Sequence, residues 1–245
     1  MFVRLEPSVG FGWAIRIIAF VMLGTSMVSV VGIRTRIEPP RKRRKFYDTR
    51  SFRDPSFMYF CLSMCFGFMG VYVLYFYVEL YATQECHMSE GLAPYTIAIA
   101  NAGAALGRFG PNYLADKAGP LNVLIPFTFV SGLLAFTWTA VHSSAGLIVF
   151  SILYGYFSAS FVSLIGPITV EISTESSDVI GTRLGMVLAF AGVGLLIGSP
   201  VAGALLTSYG WIGQQAWSGS LVMASGICLI CVRGSMYGWT KTTRA

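Results

Sequence analysis

From Phe11 onward the chain sets long apolar runs against brief polar breaks, and two stretches, Ala118 to Val170 and Leu184 to Val232, contain no Asp, Glu, Lys or Arg. A helix needs about 20 apolar residues to cross a bilayer, so each charge-free stretch is long enough for two crossings joined by a polar hairpin. Such hairpins are legible at VHSSAG (residues 141–146) and SYGWIGQQAWSG (residues 208–219). With the other apolar runs, the pattern predicts seven transmembrane helices over 11–33, 57–81, 92–112, 121–141, 147–170, 184–206 and 212–232. The predicted fold class is an all-α membrane protein. It divides into a first helix (1–33), a basic linker (34–54), a six-helix bundle (55–235) and a tail (236–245).

Composition agrees with this pattern. Of 245 residues, 55% are apolar and 11% charged, against roughly 25% charged in a soluble domain, and the mean hydropathy is +0.66. The first run is too long, and its upstream flank too poor in basic residues, for a cleaved signal peptide. Cytoplasmic loops retain Lys and Arg, and alternating the loops places 15 of the 17 basic residues on one face. That puts the N-terminus outside and the C-terminus in the cytoplasm, with the plasma membrane as the expected location. The net charge of +6 then reflects topology and attraction to anionic lipid, not nucleic acid. RKRRK (residues 41–45) reads the same way, because it lies beside a span.

One polar interruption carries a motif. In GRFGPNYLADKAGPLNVL (residues 107–124), Gly and Pro supply the backbone of a short turn. Asp116 and Lys117 are placed to cap the next helix, pair with each other, or hold neighbouring helix ends. The segment resembles the cytoplasmic loop signature of the major facilitator superfamily, Gly-x-Leu-Ala-Asp-Arg/Lys-x-Gly-Arg/Lys. Leu114, Ala115, Asp116, Lys117 and Gly119 fit that signature; Asn112 replaces its first Gly, and Pro120 with Leu121 replaces its basic pair. The full string, together with VGFGWAIRIIAF (residues 9–20) and GTRLGMVLAFAGVGLLIGSPVAGALL (residues 181–206), is similar to the fungal monocarboxylate-porter-like branch.

The resemblance implies a chain aligned with helices six to twelve of a twelve-span transporter built from two six-helix halves. On that reading it is a truncated product, or one that works with an N-terminal half or another copy of itself. The implied activity is movement of a small organic solute, a carboxylate or related metabolite, by alternating access, with proton symport as the family's coupling. The alternatives are a transport-incompetent regulatory or non-functional half-transporter and a seven-span receptor. Nothing points to an enzyme: the sequence holds no phosphate-binding Gly-Lys-Ser/Thr loop, nucleophile elbow or His-Glu-x-x-His pair, and no cofactor is expected.

Candidate site residues are the polar groups inside spans, where each needs an internal partner or a function. Arg108 lies eight residues before Asp116, about 12 Å along the helix at 1.5 Å per residue. A guanidinium in a cavity suits bidentate capture of a carboxylate, and the resemblance implies a substrate-anchoring Arg here; snorkelling to the inner face is the alternative. Animal members carry an Asp one turn earlier, where this chain has Ala104. Glu79 closes a stripe with Phe68, Tyr72 and Tyr75 on one helix face. The two tyrosines are candidate substrate contacts and Glu79 a candidate proton carrier, or else an interfacial Glu beside an aromatic belt. Glu171, after Pro167, is a second proton candidate or an ion-pairing residue. Asn101, Tyr154 and Ser158 are further substrate candidates or plain interhelical hydrogen-bonders.

Small residues mark close helix contacts in membranes. Gly185, Ala189, Gly192, Gly194, Gly198 and Gly203 in the sixth span, and Ala100, Gly103, Ala104 and Gly107 in the third, are expected to face the absent half. Of five cysteines, Cys86 alone falls in an external loop, so no disulfide is implied and an impermeant label is expected to reach it. Cys86, His87 and His142 match no metal-site spacing.

Overall fold

A computed structural model of the chain describes residues 2–33, 49–173 and 179–238. RKRRK, most of the predicted linker, and the tail residues Lys241 and Arg244 lie outside the described residues. The chain forms two compact units, residues 1–43 and 44–245. The first contains α1 (Phe2–Gly32), broken at Gly10, where φ is 77°. Within it the Arg16 guanidinium lies 5.1 Å from the centroid of the Trp13 ring, a cation–π contact across one helical turn.

The second unit is a helical bundle of α2 (Pro55–Gln84), α3 (Tyr95–Ala118), α4 (Pro120–Thr137), α5 (Ser144–Ser163), α6 (Ile165–Ile172) and α7 (Ile180–Tyr237). Five of the described helical segments, α1 included, are long and apolar enough to cross a membrane. α7 has 58 residues, roughly 87 Å if straight, almost three hydrocarbon cores deep. It folds back at Gly210, whose φ of 67° is open to glycine but strained for other residues. Its limbs, 180–209 and 211–237, therefore make two crossings. The long hairpin predicted around SYGWIGQQAWSG reduces to this one residue, and Gln214 and Gln215 become fully buried helix positions.

Two other boundaries differ from the sequence expectation, each for a local reason. The fifth predicted span is interrupted at Leu164, between α5 and α6. Pro167 has no N–H to offer the Ser163 carbonyl, and its ring crowds that group. The third span runs on through the loop signature to Ala118, and Gly119 alone, at φ 88°, makes the turn into α4. Asp116 and Lys117 consequently occupy the last turn of α3. The α4 N-terminus has no side-chain cap, and among the described residues no ion pair joins the two. Lys117 Nζ instead stands 4.3 Å from the centroid of the Tyr113 ring.

Close backbone approach organises the bundle. A Cβ at Gly194 or Gly198 would come within 2.1 Å of the Cys65 carbonyl oxygen or 2.3 Å of that of Met69, both on α2. One at Gly103 or Gly107 would meet the backbone of Ile152 or Tyr156 on α5, and one at Gly155 the Ala100 carbonyl at 2.1 Å. These glycines thus seat helices of this bundle against each other, which overturns the expectation that they face another half. Lipid tails are as apolar as side chains, so helix pairs gain by van der Waals contact at short range, and the bundle uses its small residues for that. Gly185, Ala189 and Gly192 remain on the open face of the first limb of α7.

The second limb of α7 packs on the other side of α2, joined by paired Ser63 and Ser225 hydroxyls (2.9 Å) and by Ser218 Oγ donating to the Gly70 carbonyl (2.9 Å). Cys86, expected to be open to a label, is 6% exposed; its thiol donates to the Val141 carbonyl at 3.6 Å. Burial first, and then the Glu85 charge, push this thiol pKa above its ordinary value. Since thiolate is the reactive form, maleimide labelling of a variant retaining only Cys86 is expected to be at least ten-fold slower in the folded protein than after denaturation. Glu85→Gln should give a smaller acceleration. Equal rates for the folded and denatured forms would show the thiol to be open.

Candidate functional site

A groove of about 280 Å³ runs between α2, α3 and α5. The helical period brings its walls together: Tyr72 and Tyr75 from α2, Asn101, Ala104 and Arg108 from α3, and Ser158 from α5. The close α3–α5 approach at Gly103, Gly107 and Gly155 sets the depth of the floor, because larger residues there would push the two helices apart. Aromatic contacts fix the α2 wall. The Tyr72 ring lies 5.4 Å from Phe68 and 5.7 Å from Tyr75, and Tyr75 is 6.4 Å from Tyr154.

The polar groups of the groove are unequally committed. The Tyr75 and Ser158 hydroxyls lie 3.3 Å apart, and Ser158 can also donate to the Gly155 carbonyl (3.4 Å). Asn101 Nδ2 donates back to the Ile97 carbonyl (2.9 Å). Arg108 is exposed, and among the described residues no hydrogen bond or ion pair holds its guanidinium. The lining contains no carboxylate, so the groove carries one formal positive charge among hydroxyls, an amide and aromatic rings. Such a surface can take a small anion with an apolar body: the guanidinium binds the charged end through two parallel N–H donors, and the rings cover the rest.

Five of the six sequence-derived substrate candidates, Arg108, Tyr72, Tyr75, Asn101 and Ser158, thus meet at one groove. The sixth, Tyr154, lies behind its wall, fully buried, with its hydroxyl donating to the Val71 carbonyl at 3.1 Å. Glu79 lies one turn beyond Tyr75 on α2 and is not part of the lining. Glu171 sits at the far end of α6, where it accepts a hydrogen bond from the Tyr237 hydroxyl and ties α6 to the end of α7. Of the loop signature, Ala115 and Asp116 border a separate hollow of about 260 Å³ with Asn112 and Pro167. Leu114 is exposed and Gly119 forms the turn.

Sequence reasoning missed Arg183, counted only as a topological charge. Its guanidinium reaches Asp54 (3.3 Å), Ser51 Oγ (2.9 Å) and the Ile172 carbonyl (3.1 Å), and covers the Phe57 ring at 5.3 Å. It clamps the starts of α2 and α7 to the end of α6. The available signal was its place at the edge of a long charge-free run, with Asp54 preceding the Pro that opens α2.

In comparison with known proteins, no family model matches the chain. The Aspyridones efflux protein apdF of Emericella nidulans is 38% identical over 224 residues, 91% of this chain and 45% of that protein. The MFS-type transporter dbaD of the same organism is 35% identical, over 94% of this chain and 52% of its own length. The MFS-type transporter opdF of Penicillium oxalicum is 34% identical, over 98% and 57%. The chain spans about half the length of the curated relatives it matches, and none of these three names carries the monocarboxylate label that the motifs implied. The chain is therefore homologous, over nearly its whole length, to about half the length of proteins named as transporters of the major facilitator superfamily.

Proposed function

We propose that this chain supplies the C-terminal-type half of a secondary transporter that moves a small organic anion with an aromatic or aliphatic body by alternating access. The supporting observation is the groove, where Arg108 stands without a carboxylate partner beside Tyr72 and Tyr75. Two relatives, those named for aspyridones and agnestins, are called efflux proteins, which favours export over uptake. Proton coupling belongs to the same proposal, with Glu79 as its candidate carrier.

A site between two rocking halves needs both walls. The chain joined to the N-terminal half of one of these relatives should move an aromatic carboxylate saturably in proteoliposomes, whereas the chain alone should not. In the joined protein, Arg108→Ala is expected to cut anion transport at least about 30-fold and Arg108→Lys less, since an ammonium lacks the guanidinium fork. Neutral-solute movement by the wild type with no anion transport would sink the anchor. Saturable transport by the chain alone would sink the half-transporter reading.

The orientation we propose puts the Arg183 and Asp116 end in the cytoplasm, following the bias of basic residues. An epitope placed after Ala245 should then be protected from protease added outside intact cells, and digestion there would reverse the assignment.

A further inference from the structure

A second cavity, of about 430 Å³, lies at the other end of the bundle from Arg183, between the end of α2, the α4–α5 connection and the Gly210 bend. Tyr81, Glu85, His142, Tyr209, Trp211 and Gln215 face it. Its polarity is the reverse of the Arg108 groove. The Tyr81 hydroxyl donates to the Val141 carbonyl (2.8 Å), and the hydroxyl of Thr139, also in the wall, to that of Phe136 (2.9 Å). Both hydroxyls therefore commit their protons to backbone carbonyls and keep acceptor capacity only. Glu85 adds a carboxylate. No Lys or Arg lines the cavity, and none occurs between Arg53 and Arg108 or between Leu184 and Val232.

The walls are aromatic. Tyr81 and Trp211 meet edge to face at 4.9 Å with an interplanar angle of 88°, and Tyr209, 73% exposed, stands at the rim. At the inner end Gln215 is 0% exposed; its amide lies beside the Tyr81 hydroxyl but completes no hydrogen bond of ordinary geometry. A buried amide left unpaired is costly, so a polar occupant is called for at this position. Acceptor oxygens, a carboxylate and π faces attract a cation that has an apolar shell. A bare metal ion is poorly served, since the described residues contain no group of three or more His, Cys, Asp or Glu able to hold one.

We propose that this cavity binds a small organic ammonium ion, its charge set against Glu85 and the faces of Trp211 and Tyr81, with Gln215 Oε1 accepting at the inner end. The site is separate from the Arg108 groove and independent of transport by it.

The test uses the full 245-residue chain in nanodiscs of phosphatidylethanolamine, with choline as probe, observed by saturation-transfer NMR on its N-methyl protons and corrected with empty discs. The wild type should saturate choline. 3,3-Dimethyl-1-butanol, which has the same shape without the charge, should receive little saturation. Glu85→Gln and Trp211→Leu should each weaken choline binding roughly ten-fold, the scale of one desolvated cation–π or charge contact, while Glu85→Asp retains it. Thermal unfolding of each variant reports folding, and Tyr209→Ala at the exposed rim replaces Trp211→Leu if the latter misfolds. Equal saturation of the neutral alcohol would overturn the proposal in favour of an apolar crevice. So would unchanged choline binding in a folded Glu85→Gln variant, or displacement of choline by equimolar sodium.

Discussion

Gly194→Val is expected to drive the first limb of α7 off α2, with loss of the monodisperse folded species at temperatures the wild type survives. The same change at Gly192, two residues earlier, should leave it nearly intact. At Gly194 even a methyl group would sit 2.1 Å from the Cys65 carbonyl oxygen, and four residues on, at Gly198, 2.3 Å from that of Met69. Both obstacles are main chain of a buried helix, so relief requires whole helices to separate. Overpacking in a rigid core costs roughly 1–3 kcal/mol and sometimes more; an obstacle made of main chain, which cannot change rotamer, places this case near the upper end. Gly192 has open space where its Cβ would go. Fluorescence-detected size exclusion after a heating series would compare the two, with Gly194→Ala as the milder version. Equal losses at positions 192 and 194 would mean that helix propensity, not the α2–α7 contact, dominates.

The same glycines show where sequence legibility stops. That they mark a tight helix contact follows from their spacing; which helix they contact does not, because a membrane interior gives lipid, a neighbouring helix and a missing half nearly the same apolar chemistry. Charge-free runs located the crossings well, and Gly210 fell inside the predicted hairpin. The hairpin's extent was overdrawn because Gln214 and Gln215, polar by type, are buried by helix packing that residue type does not encode. Pro167 lay in plain view, yet the apolar run continues across it, and only backbone geometry separates α5 from α6. The Arg108 groove was more legible. Asn101, Ala104 and Arg108 fall at i, i+3 and i+7 on one face of one helix, and Tyr72 and Tyr75 at i and i+3 on another. The acceptor-rich cavity at the opposite end was not legible, because its members come from three separate segments and its character depends on where two hydroxyl protons are directed.

Arg183→Ala should produce the other large loss, at the end of the bundle where α2, α6 and α7 begin or finish. The guanidinium is 11% exposed and Asp54 28%, so the pair is shielded but not sealed. Removing the cation leaves the Asp54 carboxylate without its ion-pair partner and the Ser51 hydroxyl and Ile172 carbonyl without this donor. Breaking a buried pair from one side costs roughly 3–5 kcal/mol, and the partial exposure of Asp54 places the loss near the lower bound. Asp54 has a second duty: its Oδ1 accepts from the Ser56 and Phe57 amides and caps α2. Asp54→Asn keeps an N-cap oxygen and removes only the charge, whereas Asp54→Ala removes both, so Ala should be worse than Asn by about 1 kcal/mol, the worth of a cap. In a double-mutant cycle, Arg183→Ala combined with Asp54→Asn should lose less than the sum of the two, with a coupling of roughly 1–3 kcal/mol. Arg183→Lys should recover only part, since one ammonium cannot reach Asp54, Ser51 and Ile172 with the geometry of a planar fork. Strict additivity in the cycle, with Lys equal to Arg, would reduce Arg183 to a topological charge with no clamping role.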